Sequence, residues 1–154
     1  MWRALQLLMP TDRARVIVVE DEAAILHMMK QVLLREGYSV QIATCLADAA
    51  TLFELEPADV LVVDKNLGGS TGFDVILKLR ERYPDLPAIM ITAYPEPLLP
   101  RAVRIQGYLA KPFARLAELT DSVRRVLQLH EGLVAVGLAK PRPLPAAQLR
   151  RAAG

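Results

Sequence analysis

The chain has 154 residues, enough for one domain with a core of its own and too few for two. Apolar residues make up 53% and charged residues 23%, a balance that excludes disorder over most of its length. The net charge of +2 makes no case for a nucleic-acid binder, and Cys45, the single cysteine, excludes an internal disulfide.

Residues 1–14 read as an N-terminal leader. Their apolar stretch, Ala4–Met9, is too short for a secretory signal. No apolar run approaches the roughly 18 residues that a membrane span needs. A soluble, cytoplasmic protein is therefore expected, with no membrane partner.

From residue 15 onward, apolar runs alternate with helical periods. Val16–Val19 reads as a strand buried on both faces, followed by Glu20, Asp21 and Glu22. Ile25, Met28, Met29, Val32 and Leu33 then repeat at helical spacing, with Gly37 as the stop. Val40–Ala43 is a second strand. Leu46, Ala49, Ala50 and Phe53 mark a second helix, ending near Pro57. Val60–Val63 is a third strand, with Asp64 at its end and Asn66 two residues on. The loop Gly68–Gly72 leads into a helix marked by Val75, Ile76, Leu79 and Tyr83, ending near Pro84. Ala88–Ile91 is a fourth strand, followed by Thr92.

The next link contains Pro95, Pro97 and Pro100. Proline inside a helix costs about 3 kcal/mol or more, so the helix expected there is short, displaced or absent. Tyr108–Ala110 is a fifth strand, followed by Lys111, Pro112 and Phe113. Leu116, Leu119, Val123, Val126 and Leu127 mark the last helix. The pattern fades after Gly132, and residues 132–154, rich in proline and arginine, read as a disordered C-terminal tail. The expected fold is α/β, a doubly wound five-stranded parallel sheet with a reduced fourth helix, formed by residues 15–131.

Ligands of open α/β sheets bind at the carboxyl ends of the strands. There this chain sets Glu20, Asp21, Asp64, Thr92 and Lys111. Clustered carboxylates repel unless a pKa rises or a cation joins them, and Mg²⁺ prefers such oxygen donors. An ionised aspartate can accept a phosphoryl group, and transfer needs chiefly positioning and charge neutralisation. Asp64 is the expected nucleophile, with Lys111 neutralising charge and Thr92 hydrogen-bonding the new phosphoryl group.

The strings Val18-Val19-Glu20-Asp21-Glu22, Leu61-Val62-Val63-Asp64, Ile91-Thr92-Ala93 and Gly107-Tyr108-Leu109-Ala110-Lys111-Pro112-Phe113 resemble, in this order, the signatures of response-regulator receiver domains. The resemblance covers about residues 15–130. It implies a flavodoxin-like receiver fold and a single-domain two-component switch. Asp64 would be the phosphoacceptor and, with Asp21 and the Asn66 backbone carbonyl, a ligand of Mg²⁺; Glu20 would act on the metal through water. Thr92 and Ala93 would bind the phosphoryl group with Lys111, and Thr92 would form a switch pair with Tyr108. Asn66 and Tyr94 would flank the path of the hydrolytic water and tune dephosphorylation. The partners implied are a histidine kinase or histidine phosphotransfer protein and a downstream protein target.

Two departures stand out. Gly68 occupies a position where the family often has proline, which implies a more mobile loop. The link from Thr92 to Lys111 is also short, and its loss falls on the fourth helix. Too little chain follows Gly132 for a helix-turn-helix, so direct DNA binding is not expected.

Blander readings hold for several residues. His27 lies off the apolar stripe and reads as a surface residue, Cys45 as a small helix residue, and Glu22 as a first-turn acid. The glycine loop lacks any phosphate-binding fingerprint. No enzyme activity is expected beyond weak Mg²⁺-dependent self-phosphorylation and self-dephosphorylation. Two alternatives remain: a receiver-fold adaptor that works without phosphorylation, and an aspartate-nucleophile phosphatase, which would need a second aspartate where Asn66 stands.

Overall fold

The structure is a computed structural model that describes residues 13–93 and 103–154. Its five strands are β1 (Arg15–Val19), β2 (Ser39–Ala43), β3 (Val60–Asp64), β4 (Ala88–Thr92) and β5 (Gly107–Ala110). All neighbours pair in parallel, in the order β2-β1-β3-β4-β5. This is the flavodoxin-like order, whose switch point lies between β1 and β3.

The helices among the described residues are α1 (Ala23–Arg35), α2 (Leu46–Leu55), α3 (Gly72–Arg82), α4 (Ala117–Ala135) and α5 (Ala146–Ala152). Strand alternation divides the core into two layers. Ile17, Val19, Leu61, Val63, Ala88 and Met90 face α2 and α3, packing on Ala49, Phe53, Val75, Ile76 and Leu79. Val16, Val18, Val60, Val62, Ile89 and Ile91 face α1 and α4, packing on Leu26, Met29, Leu33, Leu119, Val123 and Val126. Both faces are covered, which is why these strands read as continuous apolar runs.

Turn chemistry sets the helix ends. Gly37 takes φ +90°, and the N–H groups of Gly37 and Tyr38 donate to the carbonyls of Leu34 and Leu33. This Schellman closure makes Gly37 the stop that the sequence implies. Gly137, at φ +76°, does the same for α4: its N–H donates to Val134, and that of Leu138 to Leu133. Helix α4 therefore runs through Gly132. One exposed mid-helix glycine costs only about 1 kcal/mol, too little to end a helix anchored by Leu119, Val123 and Val126.

The expectation of a disordered tail is corrected. Past Gly137 the chain crosses the amino edge of the sheet as a strap. The Lys140 N–H donates to Asp85 at 2.8 Å, and the Lys140 carbonyl accepts from the Tyr83 hydroxyl at 3.1 Å. Arg142 pairs with Asp59 at 2.9 Å, Arg82 donates to the Leu144 carbonyl, and α5 lies against α2. Prolines at 141, 143 and 145 deny the strap a ladder of its own, so side chains from the domain bond its backbone. The reduced fourth helix falls mostly on residues 94–102, outside the described residues; residues 103–106 hold no helix.

Candidate functional site

Five strand ends define the carboxyl edge. Glu20 follows β1 and is wholly buried, its N–H donating to the Ala43 carbonyl of β2. Asp21 is the next residue and is exposed. Asp64 closes β3 and is buried. Thr92 closes β4 and is also buried. The Lys111 N–H donates to the Thr92 carbonyl at 2.9 Å, so register carries the lysine to the same edge.

The side chains converge. Lys111 Nζ stands 2.6 Å from Asp64 Oδ2 and 2.6 Å from Glu20 Oε2. The other oxygen of each carboxylate is also held: Asp64 Oδ1 accepts from the Asn66 N–H, and Glu20 Oε1 from the Glu22 N–H, each at 3.1 Å. Glu20, Asp21 and Asp64 each offer an oxygen within 4.8 Å of the others. Such a set of hard oxygen donors fits a small divalent cation.

Burial pushes the Glu20 carboxyl up to about 7, and the charge of Asp64 adds to this; hydrogen bonds from Lys111 and the Glu22 N–H only partly offset them. Burial alone would lower the Lys111 pKa, but its hydrogen bonds to Asp64 and Glu20 outweigh that and hold it above the ordinary value. The lysine is thus kept charged between two carboxylates.

The other expected residues stand around this cluster. Asn66 is exposed on the loop after β3. Ala93 is exposed beside Thr92 and, with Ile25, Met28, Pro112 and Phe113, lines an apolar groove next to Lys111. Tyr108 stands on β5 and is 42% exposed. Tyr94 lies outside the described residues. His27 is exposed on α1, and Cys45 precedes α2.

The loop after Asp64 is a hydrogen-bonded turn. Its base is closed by the Gly72 N–H donating to the Lys65 carbonyl at 2.8 Å, and Leu67 N–H bonds the Ser70 carbonyl. Gly68 takes φ +76°, which proline cannot adopt, so the departure from proline selects a different turn. Gly72 is a residue whose importance the sequence reading missed. A Cβ there would stand 2.6 Å from the Asp64 carbonyl oxygen and 3.1 Å from Met90 Cε. Only glycine lets α3 start this close to the end of β3. Its position in a glycine-rich loop was the available signal.

The family model for the response regulator receiver domain matches residues 16–124. The transcriptional regulatory protein YvrH of Bacillus subtilis is 34% identical over 121 residues, covering 76% of this chain and 50% of YvrH. The alginate biosynthesis transcriptional regulatory protein AlgB of Pseudomonas putida is 35% identical over 83 residues, covering 54% of this chain and 18% of AlgB. The chain thus spans half or less of these relatives. Among solved structures, the Vibrio cholerae chemotaxis protein CheY4 superposes with a TM-score of 0.70 at 29% identity, covering 74% of this chain and 98% of that one. The N-terminal domain of a response regulator/sensory box/GGDEF protein from Carboxydothermus hydrogenoformans gives 0.70 at 28% identity, covering 78% of this chain and 98% of that one. With the match spanning most of the chain and the acidic cluster at the edge where such domains carry their site, this protein belongs to the response-regulator receiver family.

Proposed function

We propose that the protein is a phosphoacceptor switch of a two-component phosphorelay, taking a phosphoryl group on Asp64 from a histidine kinase or histidine phosphotransfer protein. The observation that carries this reading is the Lys111 ammonium 2.6 Å from Asp64, in a cluster with Glu20 and Asp21. With Oδ1 held by the Asn66 N–H, the Asp64 carboxylate has one fixed orientation. Its Oδ2 forms the new bond to phosphorus as the phosphohistidine P–N bond breaks and the imidazole leaves.

Asp21, Asp64 and the Asn66 carbonyl would hold Mg²⁺, with Glu20 acting through water; when bound, the ion supplies positive charge against the phosphoryl oxygens. Lys111 supplies the fixed positive charge of the chain itself, and Thr92 a buried hydroxyl on the neighbouring strand end. The protein then signals by contact with another protein, and its own turnover is confined to slow loss of the phosphoryl group. Asn66, on the loop after Asp64, aligns the hydrolytic water and so tunes that loss, and Tyr94 is the second residue assigned to that tuning by the resemblance.

A phosphorylated histidine kinase carrying radiolabel, mixed with the protein and Mg²⁺, tests the reading. The label should move to the wild type and be retained through Asp64. Transfer to Lys111→Ala should slow by about a hundredfold or more, the scale of one lost charge-stabilising group. Equal transfer to Asp64→Ala would overturn the proposal.

A further inference from the structure

We propose that the Thr71–Asp74 capping box of α3 is a positioning device for the cation site, because Thr71 is at once the cap of the helix and the residue facing Asn66 across the turn, linked to it through the Ser70 carbonyl and the Leu67 N–H. The inference rests on the reading of the Asn66 carbonyl as a metal ligand.

The capping contacts are reciprocal. Thr71 Oγ1 accepts from the Asp74 N–H at 3.3 Å, while the Thr71 N–H and hydroxyl donate to Asp74 Oδ2 at 2.9 and 3.1 Å. In an ordinary capping box these bonds satisfy orphan donors at a helix start. Here the same residue forms an antiparallel bridge with Asn66. The bridge belongs to a small closed loop, Lys65–Gly72, sealed at its base by the Gly72 N–H on the Lys65 carbonyl.

Two fixed points hold this loop. At one end Asp64 is the last residue of β3, paired with Ile91 of β4. At the other, Gly72 is pressed against the Asp64 carbonyl with no room for a Cβ. Between them, Asn66 is exposed and its N–H is held by Asp64 Oδ1. Its carbonyl shares a peptide plane with the Leu67 N–H, which donates to the Ser70 carbonyl at 3.0 Å; that carbonyl shares a plane with the Thr71 N–H, which donates to Asp74 in the first turn of α3. Thus two exposed residues with no part in the acidic cluster set the place of a backbone oxygen that belongs to it. Groups that orient ligands from behind commonly change metal affinity by about tenfold or more when removed.

Calorimetric titration of the full chain with Mg²⁺ tests this. Thr71→Ala and Asp74→Ala should each weaken Mg²⁺ binding about three- to tenfold. Thr71→Ser, which keeps the hydroxyl, should stay within about twofold of the wild type. Glu81→Gly weakens α3 at an exposed position near its other end and serves as the control for helix stability alone; it should lower the melting temperature yet keep wild-type affinity. Unchanged affinity in Thr71→Ala and Asp74→Ala, or an equal loss in Glu81→Gly, would overturn the positioning role while leaving the metal reading intact. A wild type that binds no Mg²⁺ would overturn the metal reading itself, and this inference with it.

Discussion

Glu20 is buried next to Asp64, and its carboxyl rises from 4.5 to about 7. The folded state therefore holds this proton more tightly than the unfolded chain does. Its contribution to stability is complete below about pH 4.5 and is lost as pH rises through about 7. Denaturant unfolding in the presence of a chelator should show this loss, of order 2–3 kcal/mol, in the wild type and not in Glu20→Gln. Identical pH profiles for the two would contradict the assignment. Lys111 opposes this rise at the same site, since its hydrogen bond and charge favour the ionised carboxylate. Lys111→Ala leaves two buried carboxylates without their cation and should cost roughly 3 kcal/mol near neutral pH. Because protonation relieves the repulsion, the cost should shrink in acid; a melting series across pH checks both the loss and its sign.

The strap is the element that most changes the picture of the domain. Its anchors are side chains far away in sequence: Asp59 before β3, and Tyr83 and Asp85 after α3. Tyr83 also meets His130 Nε2 at 2.6 Å, so α3, α4 and the strap share one buried phenol, whose pKa burial drives upward. Asp59 has a double duty, accepting from the Arg15 N–H at 2.7 Å and from Arg142 at 2.9 Å. Asp59→Ala should cost about 1–3 kcal/mol and speed proteolytic cleavage within residues 138–145. Unchanged cleavage would mean that the strap is held by other contacts. Its docking was hidden in the sequence because alternating prolines carry neither helical nor strand period, and its partners sit 55–83 residues away. The run of α4 through Gly132 was hidden for a related reason. A single glycine is a weak local signal, and packing upstream together with the Gly137 closure outweighs it.

Across the whole molecule, what could be read from sequence is what local pattern dictates. The strands were legible because both faces of the sheet are covered, and the acidic site because its residues sit directly at strand ends. The glycine loop was not. Its freedom was read from composition, whereas Gly68 and Gly72 serve particular geometries, a positive φ and a close approach to the Asp64 carbonyl. The outward ring of Tyr108 was equally hidden, since a strand residue's exposure depends on what lies over it. The result is a domain with an acidic, lysine-bridged site at the carboxyl edge of its sheet and a folded strap at the amino edge. The central claim concerns the first of these, that Asp64 takes a phosphoryl group. Incubation with a small acyl-phosphate donor and Mg²⁺, followed by intact-mass and peptide mass spectrometry, tests it most directly. The account predicts one added phosphoryl group on the wild type, mapped to Asp64, dependent on Mg²⁺ and missing from Asp64→Ala. No added mass on the wild type, or the same added mass on Asp64→Ala, would contradict it.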